Sequence, residues 1–287
     1  MKFYGLAKYS IFHIIEVAGK FIRQRAARLN LKGMIDMNVH TYGADERLAF
    51  CREYLYKRGI RSVSDVVLLP IPTSRDGKTV GATGKTPEET FPDLPYGSVV
   101  AGYGIPKEFK EYFSAFGATV VDVSLDEHFT EENARLTAEG TVGKILTEHK
   151  CSPSDLSVGI VGYGRIGKEL VNILAFLGTR LTVLTTRRAV AEELCMSGIS
   201  GVYLSEDEDV SYALGSLDIL INTAPARLID ESKREVLSET EIIELASGEN
   251  LPHSLKFTRL GALPAKMYPK SAGKVLFESI LRMLGEE

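Results

Sequence analysis

The sequence contains few cysteines and histidines, and their spacing excludes several classes of protein. Its 287 residues include three cysteines, Cys51, Cys151 and Cys195, which form no CxxC pair. An odd number of cysteines is a poor disulfide framework, so we expect reduced thiols and a cytoplasmic protein. The five histidines are scattered and do not show the spacing of metal ligands. We therefore predict no metal site.

Long apolar runs and an excess of positive charge are also absent. Apolar stretches such as 66–71 and 98–102 are far shorter than the roughly 20 residues that a membrane span requires. The net charge of −4 gives no reason to expect a nucleic-acid partner. The composition is that of an ordinary globular protein, with 44% hydrophobic and 25% charged residues, and the length suggests two domains.

The first 32 residues differ from the rest in charge. They contain seven basic residues and one acidic residue, together with apolar residues at helical spacing. This pattern predicts a basic amphipathic helix within residues 1–32. Such a helix can lie on an anionic membrane. We favour a helix that packs on the protein and leaves its basic face in solvent.

Beyond residue 33, short apolar strands alternate with helical stretches. The apolar runs predict two series of strands, at 36–42, 66–71, 98–102 and 118–123, and then at 156–161, 180–185, 201–204, 218–222 and 241–245. Strands that are apolar without alternation are typical of parallel sheets that are covered on both faces. We predict an α/β protein with two Rossmann-like, doubly wound parallel-sheet domains, joined by a long inter-domain helix at 130–149.

A glycine-rich motif follows the first strand of the second series and opens the next helix. Its residues are Gly162, Tyr163, Gly164, Arg165, Ile166 and Gly167. In this context the first glycine makes a tight turn, the second lets a pyrophosphate approach the backbone, and the third allows close packing of helix and strand. The motif predicts a dinucleotide-binding domain, which we place at residues 130–269. A glycine turn without a nucleotide is the alternative.

The end of the following strand indicates which dinucleotide binds. NAD-binding domains place Asp or Glu there, to hold the ribose 2′-hydroxyl. This chain instead has Thr185, Thr186, Arg187 and Arg188. Two guanidinium groups and two hydroxyls suit a 2′-phosphate. We therefore predict NADP as the cofactor in preference to NAD, although surface arginines at a helix start would give the same pattern.

The strand at 218–222 ends in a polar loop. Its residues are Asn222, Thr223, Ala224 and Pro225. Ligands of open parallel sheets bind beyond the carboxyl ends of the strands, at the point where the strand order reverses. We expect this loop to flank the nicotinamide ribose, unless it is a plain turn.

Three groups of polar residues suggest a substrate site in the cleft between the two domains. The substrate domain comprises residues 33–129 with the C-terminal helix at 270–287, and is Rossmann- or flavodoxin-like but truncated. The candidates for substrate binding are Thr73, Ser74 and Arg75 after a buried strand, Asn133 and Thr137 on the inter-domain helix, and Lys266 and Ser271 around the start of the last helix. The candidate catalytic residues are Glu139, as a general base, and Lys270.

The order of these motifs resembles that of the family formed by the A chains of dipicolinate synthase. The similar stretches are 69–70, 133–141, 162–168, 218–225, 244–247 and 261–273, so that the resemblance runs from about residue 36 to the end. It implies NADP-linked oxidation of a lysine-pathway cyclic dicarboxylate, of the dihydro- or tetrahydrodipicolinate type, to dipicolinate during sporulation. It also implies that the partner is a flavoprotein B subunit, and we expect a homo-oligomer.

The chain departs from this family in its basic N-terminal helix, which the family lacks, and at two further places. Residues 59–64 stand where the family has a further strand and helix, and residues 248–252 replace an Arg-Pro-Gly-Gly loop. Both differences favour a second hypothesis, a non-catalytic NADP-binding subunit or sensor. A third hypothesis is a D-2-hydroxyacid dehydrogenase, because residues 222–230 are similar to a segment of that family. However, the Glu and His that its chemistry requires are here Glu249 and His253, only four residues apart.

Overall fold

The described part of the chain consists of two series of alternating strands and helices. The computed structural model describes residues 37–61 and 63–286, so the helix expected within residues 1–32 lies outside them. The first series comprises β1 (Asn38–Thr41), α1 (Glu46–Arg58), β2 (Asp65–Leu68), α2 (Pro87–Thr90), β3 (Val99–Gly102), α3 (Lys107–Ala115) and β4 (Thr119–Asp122).

A long helix, α4 (Glu127–Glu148), separates the first series from the second. The second series comprises β5 (Ser157–Val161), α5 (Arg165–Phe176), β6 (Arg180–Thr185), α6 (Arg188–Met196), β7 (Ser200–Tyr203), α7 (Asp207–Leu214), β8 (Ile219–Asn222), β9 (Glu241–Glu244), β10 (Thr258–Arg259), α8 (Leu263–Met267) and α9 (Pro269–Leu284).

The strands form two sheets in which every described pair is parallel. The first sheet has the order β1-β2-β3-β4, and the second has the order β7-β6-β5-β8-β9-β10. Counted along the second series, that order is 3-2-1-4-5-6, which is the order of dinucleotide-binding sheets. The order reverses between β5 and β8, so the ligand-binding crevice is expected at their carboxyl ends.

Both faces of each sheet are covered by helices. In the first sheet, Val66 packs with α1 and α9, whereas its neighbour Val67 packs against α3 on the opposite face. In the second sheet, Ile160 contributes to the core with α4 and α5, and Val161 to the core with α7. Successive strand residues point to opposite faces, so strands buried on both sides must be apolar throughout. The prediction of an α/β protein with two doubly wound sheets is confirmed.

Helix α4 contributes to both domains. Its residue Leu136 is buried in the core of the first sheet, and Ala138 and Val142 are buried in the core of the second. Gly140 faces α8, because a Cβ atom placed there would lie 3.2 Å from the Met267 Sδ atom. The close approach of a helix explains a glycine that would otherwise cost about 1 kcal/mol in a helix interior.

The C-terminal helix α9 returns to the first sheet and packs on α1. Its Leu276 and Ile280 are buried in the same core as Leu48 and Leu55 of α1. An ion pair between the Arg282 guanidinium and Asp126, at 2.7 Å, joins α9 to the start of α4. The division of the chain after residues 129 and 269 stays a prediction. The described residues include no helix that is both long and apolar enough to cross a membrane.

We expect that Gly273→Ala destabilises the protein, because α1 and α9 touch at this glycine. An added Cβ would lie 2.6 Å from the Phe50 Cβ atom and 2.7 Å from the Arg47 carbonyl oxygen. Overpacking of this kind typically costs about 1–3 kcal/mol of unfolding free energy, which thermal and denaturant unfolding would measure. Gly261→Ala is the control, since its Cβ would have no described heavy atom within 4 Å. Equal stability of the two variants would contradict the prediction.

Candidate functional site

The glycine motif forms a tight loop at the carboxyl end of β5. Gly162 has a φ angle of 95°, in the left-handed region that favours glycine. A Cβ atom at Gly167 would lie 2.3 Å from the Gly162 carbonyl oxygen, so only glycine lets α5 pack this closely on the loop. Ile166 is half-buried against the core of the second sheet. The loop therefore has the geometry that its sequence predicts.

The N-terminus of α5 is open to a ligand. Gly164 is its N-cap, and no side chain of the described residues caps the helix there. A Cβ atom at Gly164 would have no described heavy atom within 4 Å. Free N–H groups and the positive end of a helix dipole suit a phosphate group. The residues present thus fit the pyrophosphate of a dinucleotide.

The arginines at the end of β6 have different surroundings. The Arg187 side chain is exposed and its Nη2 atom donates to the Tyr163 carbonyl oxygen at 2.9 Å, so it lies beside the glycine loop. Its backbone N–H donates to the hydroxyl of the buried Thr185 at 3.2 Å. Arg188 instead forms an ion pair with Glu206 and lies over the Tyr203 ring, 5.4 Å from its centroid. Arg187 is thus the better placed of the two, and Thr186 between Thr185 and Arg187 is exposed.

The loop after β8 is joined to the glycine loop. The Thr223 hydroxyl donates to the carbonyl oxygens of Val161 at 2.9 Å and of Gly162 at 3.3 Å. Asn222 is buried, and its side chain makes two bonds of 3.3 Å with the backbone of Ala224. Ala224 is buried and Pro225 is exposed. The two polar loops predicted to hold the dinucleotide therefore meet at the reversal of strand order.

Glu244, at the end of β9, was not among the predicted site residues. Its side chain is fully buried, and both carboxylate oxygens accept from the Asn222 Nδ2 atom, at 3.1 and 3.2 Å. Burial raises the pKa of this carboxyl, although the hydrogen bonds from Asn222 and Ala246 and the charge of Arg259 act in the opposite direction. The available signal was an acidic residue that ends a run of isoleucines.

The loop after β2 holds its predicted residues in different environments. Thr73 is fully buried, and its hydroxyl accepts from the Tyr103 N–H at 3.1 Å, so it joins this loop to the end of β3. The Ser74 hydroxyl donates to Asp76 at 3.0 Å, within the loop. Arg75 is exposed. Of these three residues, Arg75 alone presents a charged group to solvent at the carboxyl edge of the first sheet.

The predicted residues of α4 face different partners. Thr137 is buried, and its hydroxyl donates to the Asn133 carbonyl oxygen at 2.7 Å, within the helix. Asn133 is half-buried. The Glu139 carboxylate forms an ion pair with Arg135, and Arg135 also pairs with Glu132 at 2.7 Å. Glu139, the predicted general base, is thus held by a cation on its own helix.

The predicted residues near α9 lie on the surface. Lys266, Lys270 and Ser271 are exposed. Lys270 is in the first turn of α9, which packs on α1. The hydrogen bond and charge of Lys57, and to a smaller extent the charge of Lys270, lower the pKa of Glu53. Among the described residues, no hydrogen bond or ion pair joins Lys270 to Glu139. The catalytic roles of both residues stay predictions.

Arg165 of the glycine loop faces the start of α4. Its guanidinium lies 3.6 Å from the Glu127 carboxylate, and both side chains are largely exposed. This ion pair crosses from the second domain to the helix that links the domains. In the described part of the chain, no group of three or more His, Cys, Asp or Glu residues is arranged to hold a metal ion.

Comparison with known proteins shows similarity in fold only. No protein-family model matches the chain, and no curated protein matches it in sequence. Among solved structures, the fold is similar to that of the A chain of dipicolinate synthase from Bacillus halodurans, with a TM-score of 0.69 and 20% identity over 89% of this chain and 100% of that one. The dipicolinate synthase A chain from Bacillus subtilis has the same TM-score, with 17% identity over 88% of this chain and 98% of that one.

The fold is also shared, less closely, with dehydrogenases. D-lactate dehydrogenase from Escherichia coli has a TM-score of 0.54 and 14% identity, over 88% of this chain and 98% of that one. At these identities the comparisons establish the fold. They agree with the resemblance to the dipicolinate synthase A chain that the motifs indicate.

Proposed function

We propose that this chain is the NADP-binding subunit of an oxidoreductase that acts on a cyclic dicarboxylate and yields dipicolinate. The observation that carries the dinucleotide part is the open N-terminus of α5, where Gly164 leaves room for a pyrophosphate. The fold shared with the dipicolinate synthase A chain, over most of both chains, supports the reaction.

Preference for NADP over NAD is supported by Arg187. Its guanidinium lies beside the glycine loop, where the ribose 2′-phosphate of NADP would be bound at the end of β6. The segment from Thr185 to Arg188 has no carboxylate that would repel a phosphate. Glu206 is nearby, but Arg188 already neutralises it.

The chain's own side chains suit a substrate with two carboxylates. Arg75, Lys266 and Lys270 are exposed cations that can bind carboxylate groups. When bound, the nicotinamide ring supplies the hydride-transfer chemistry. Glu139 would accept a proton from the substrate once its carboxylate has separated from Arg135. The proposed partners are a second copy of this chain and a flavoprotein B subunit, on the resemblance to dipicolinate synthase.

A non-catalytic NADP-binding subunit or sensor is the second candidate. The observation that favours it is the ion pair of Glu139 with Arg135, which occupies the proposed base. The loop at 248–252, where the sequence departs from the family, adds to this. A D-2-hydroxyacid dehydrogenase is less well supported, because the Glu249 and His253 side chains are both exposed and lie 3.8 Å apart on one short segment.

Three measurements on the purified protein separate these candidates. Calorimetric titration with NADP and with NAD tests the cofactor, and we expect tighter binding of NADP. Turnover of a dihydrodipicolinate-type substrate, with and without a flavoprotein partner, tests the reaction. NADP binding without turnover of this substrate, with or without the partner, would support the sensor. Turnover of D-2-hydroxyacids, measured in a third assay, would support the dehydrogenase. Failure to bind either dinucleotide would refute the proposal.

A further inference from the structure

A carboxylate is fully buried behind the loop that is expected to hold the nicotinamide half of the cofactor. Glu244 ends β9, next to β8 in the sheet, and none of its side chain reaches solvent. Burial of a charged group is costly unless hydrogen bonds compensate for it. Glu244 accepts from the Asn222 amide and, at 2.9 Å, from the Ala246 N–H. These are neutral donors. Arg259, whose charge acts on Glu244, donates instead to the Ala246 carbonyl oxygen at 3.1 Å.

The carboxylate fixes the orientation of one amide. A carboxylate can only accept hydrogen bonds, so the side chain of Asn222 must turn its NH₂ group towards Glu244. Its Oδ1 atom then accepts from the Ala224 N–H at 3.3 Å. Asn222 therefore links the core of the sheet to the loop at 223–225. The reversed amide would place an NH₂ group against the Ala224 N–H and leave buried donors without acceptors.

The same loop is separated from the adenosine half of the proposed site. Thr223 joins the loop to Gly162, on the β8 side of β5. Arg187 and Thr185 follow β6, on the other side of β5. A substitution at Glu244 can thus alter the nicotinamide half of the site and leave the adenosine half unchanged.

We infer that Glu244 is a positioning residue that, through Asn222, shapes the loop at 223–225 for the nicotinamide half of NADP. This inference rests on the proposed function, since it assumes that NADP binds to the glycine loop. It assigns Glu244 no contact with the cofactor. Its effect is confined to the nicotinamide half of the ligand, which is expected at the carboxyl end of β8.

The experiment compares two ligands and three variants. Adenosine 2′,5′-bisphosphate represents the adenosine half, and NADP the whole cofactor. Glu244→Gln places an NH₂ group against the Asn222 NH₂ group, and Asn222→Asp places two carboxylates together. The double variant restores a matched pair, because the new glutamine can donate to the new aspartate, which still accepts from the Ala224 N–H. Each protein is titrated calorimetrically with both ligands, and its thermal unfolding is recorded.

We expect each single change to weaken NADP binding about tenfold or more, and the double variant to recover most of that affinity. Affinity for adenosine 2′,5′-bisphosphate should stay within about twofold in all three variants. An equal loss for both ligands, or unchanged NADP binding in a folded single variant, would overturn the inference. If a single variant does not fold, a folded double variant that fails to bind NADP overturns it as well. A wild-type protein that binds neither ligand refutes the proposed function itself.

Discussion

Replacement of Arg187 by alanine is expected to weaken NADP binding by about ten- to a hundredfold and to leave NAD binding nearly unchanged. The reason is that charge-assisted hydrogen bonds contribute about 1.5–3 kcal/mol each. The Arg187 guanidinium is exposed beside the glycine loop, 2.9 Å from the Tyr163 carbonyl oxygen, where it can bind a 2′-phosphate. Titration of the variant with both dinucleotides measures the effect.

Arg188→Ala is the matched control for this change. It removes the same kind of side chain from the next position, but the Arg188 guanidinium already pairs with Glu206 and stacks on the Tyr203 ring. We expect a clearly smaller loss of NADP affinity from this variant, caused by the charge of Glu206, which Arg188 no longer neutralises. Equal losses for NADP and NAD in the Arg187 variant, or a larger effect at Arg188, would contradict the assignment of the 2′-phosphate site.

Alanine at either of two glycines in this loop is expected to weaken dinucleotide binding, but only one of the two changes should destabilise the free protein. Gly167→Ala would place a Cβ atom 2.3 Å from the Gly162 carbonyl oxygen, so α5 must move away from the loop. We expect a loss of about 1–3 kcal/mol of unfolding free energy, together with loss of dinucleotide binding. Gly164→Ala adds its Cβ atom to open space, so the free protein should melt as the wild type does. Its dinucleotide affinity should nevertheless fall, because the pyrophosphate needs that space.

Thermal unfolding in the absence of ligand and titration with NADP separate the two effects. Undiminished NADP affinity in Gly164→Ala would show that no pyrophosphate approaches the backbone there. A Gly167→Ala variant as stable as the wild type would show that the close contact of α5 with the loop is not required.

Much of the fold could be predicted because its strands are short, apolar and buried on both faces. The run from Arg180 to Thr185 forms β6 with the bounds that the sequence predicts. By contrast, β10 has only two residues, Thr258 and Arg259, and both are exposed. Nothing in its composition marks it as a strand, because it forms only by pairing with the edge of β9. Helix α4 begins at Glu127 rather than near residue 130. Its N-cap is Asp126, whose side chain binds Arg282 and not a backbone N–H of the helix.

The candidate site was predictable where its residues are local in sequence. The glycine motif brings its own residues together, because the turn and the helix start are a few residues apart. The substrate residues lie on separate elements, so their meeting depends on how those elements pack. Glu139 illustrates the difficulty, since Arg135, one helical turn earlier, binds its carboxylate. Glu244 shows the reverse case. It lies in a stretch that resembles the dipicolinate synthase A chain, but only its burial and its hydrogen bonds with Asn222 connect it to the site.

The sharing of α4 between two hydrophobic cores affects how the protein unfolds. Leu136 is covered by the first sheet, and two residues later Ala138 is covered by the second. Unfolding of either half would thus expose apolar residues of the other half to solvent. The two halves are therefore not expected to unfold independently. The chain should lose its structure in one cooperative transition, and a fragment that ends within this helix would expose a hydrophobic surface and tend to aggregate.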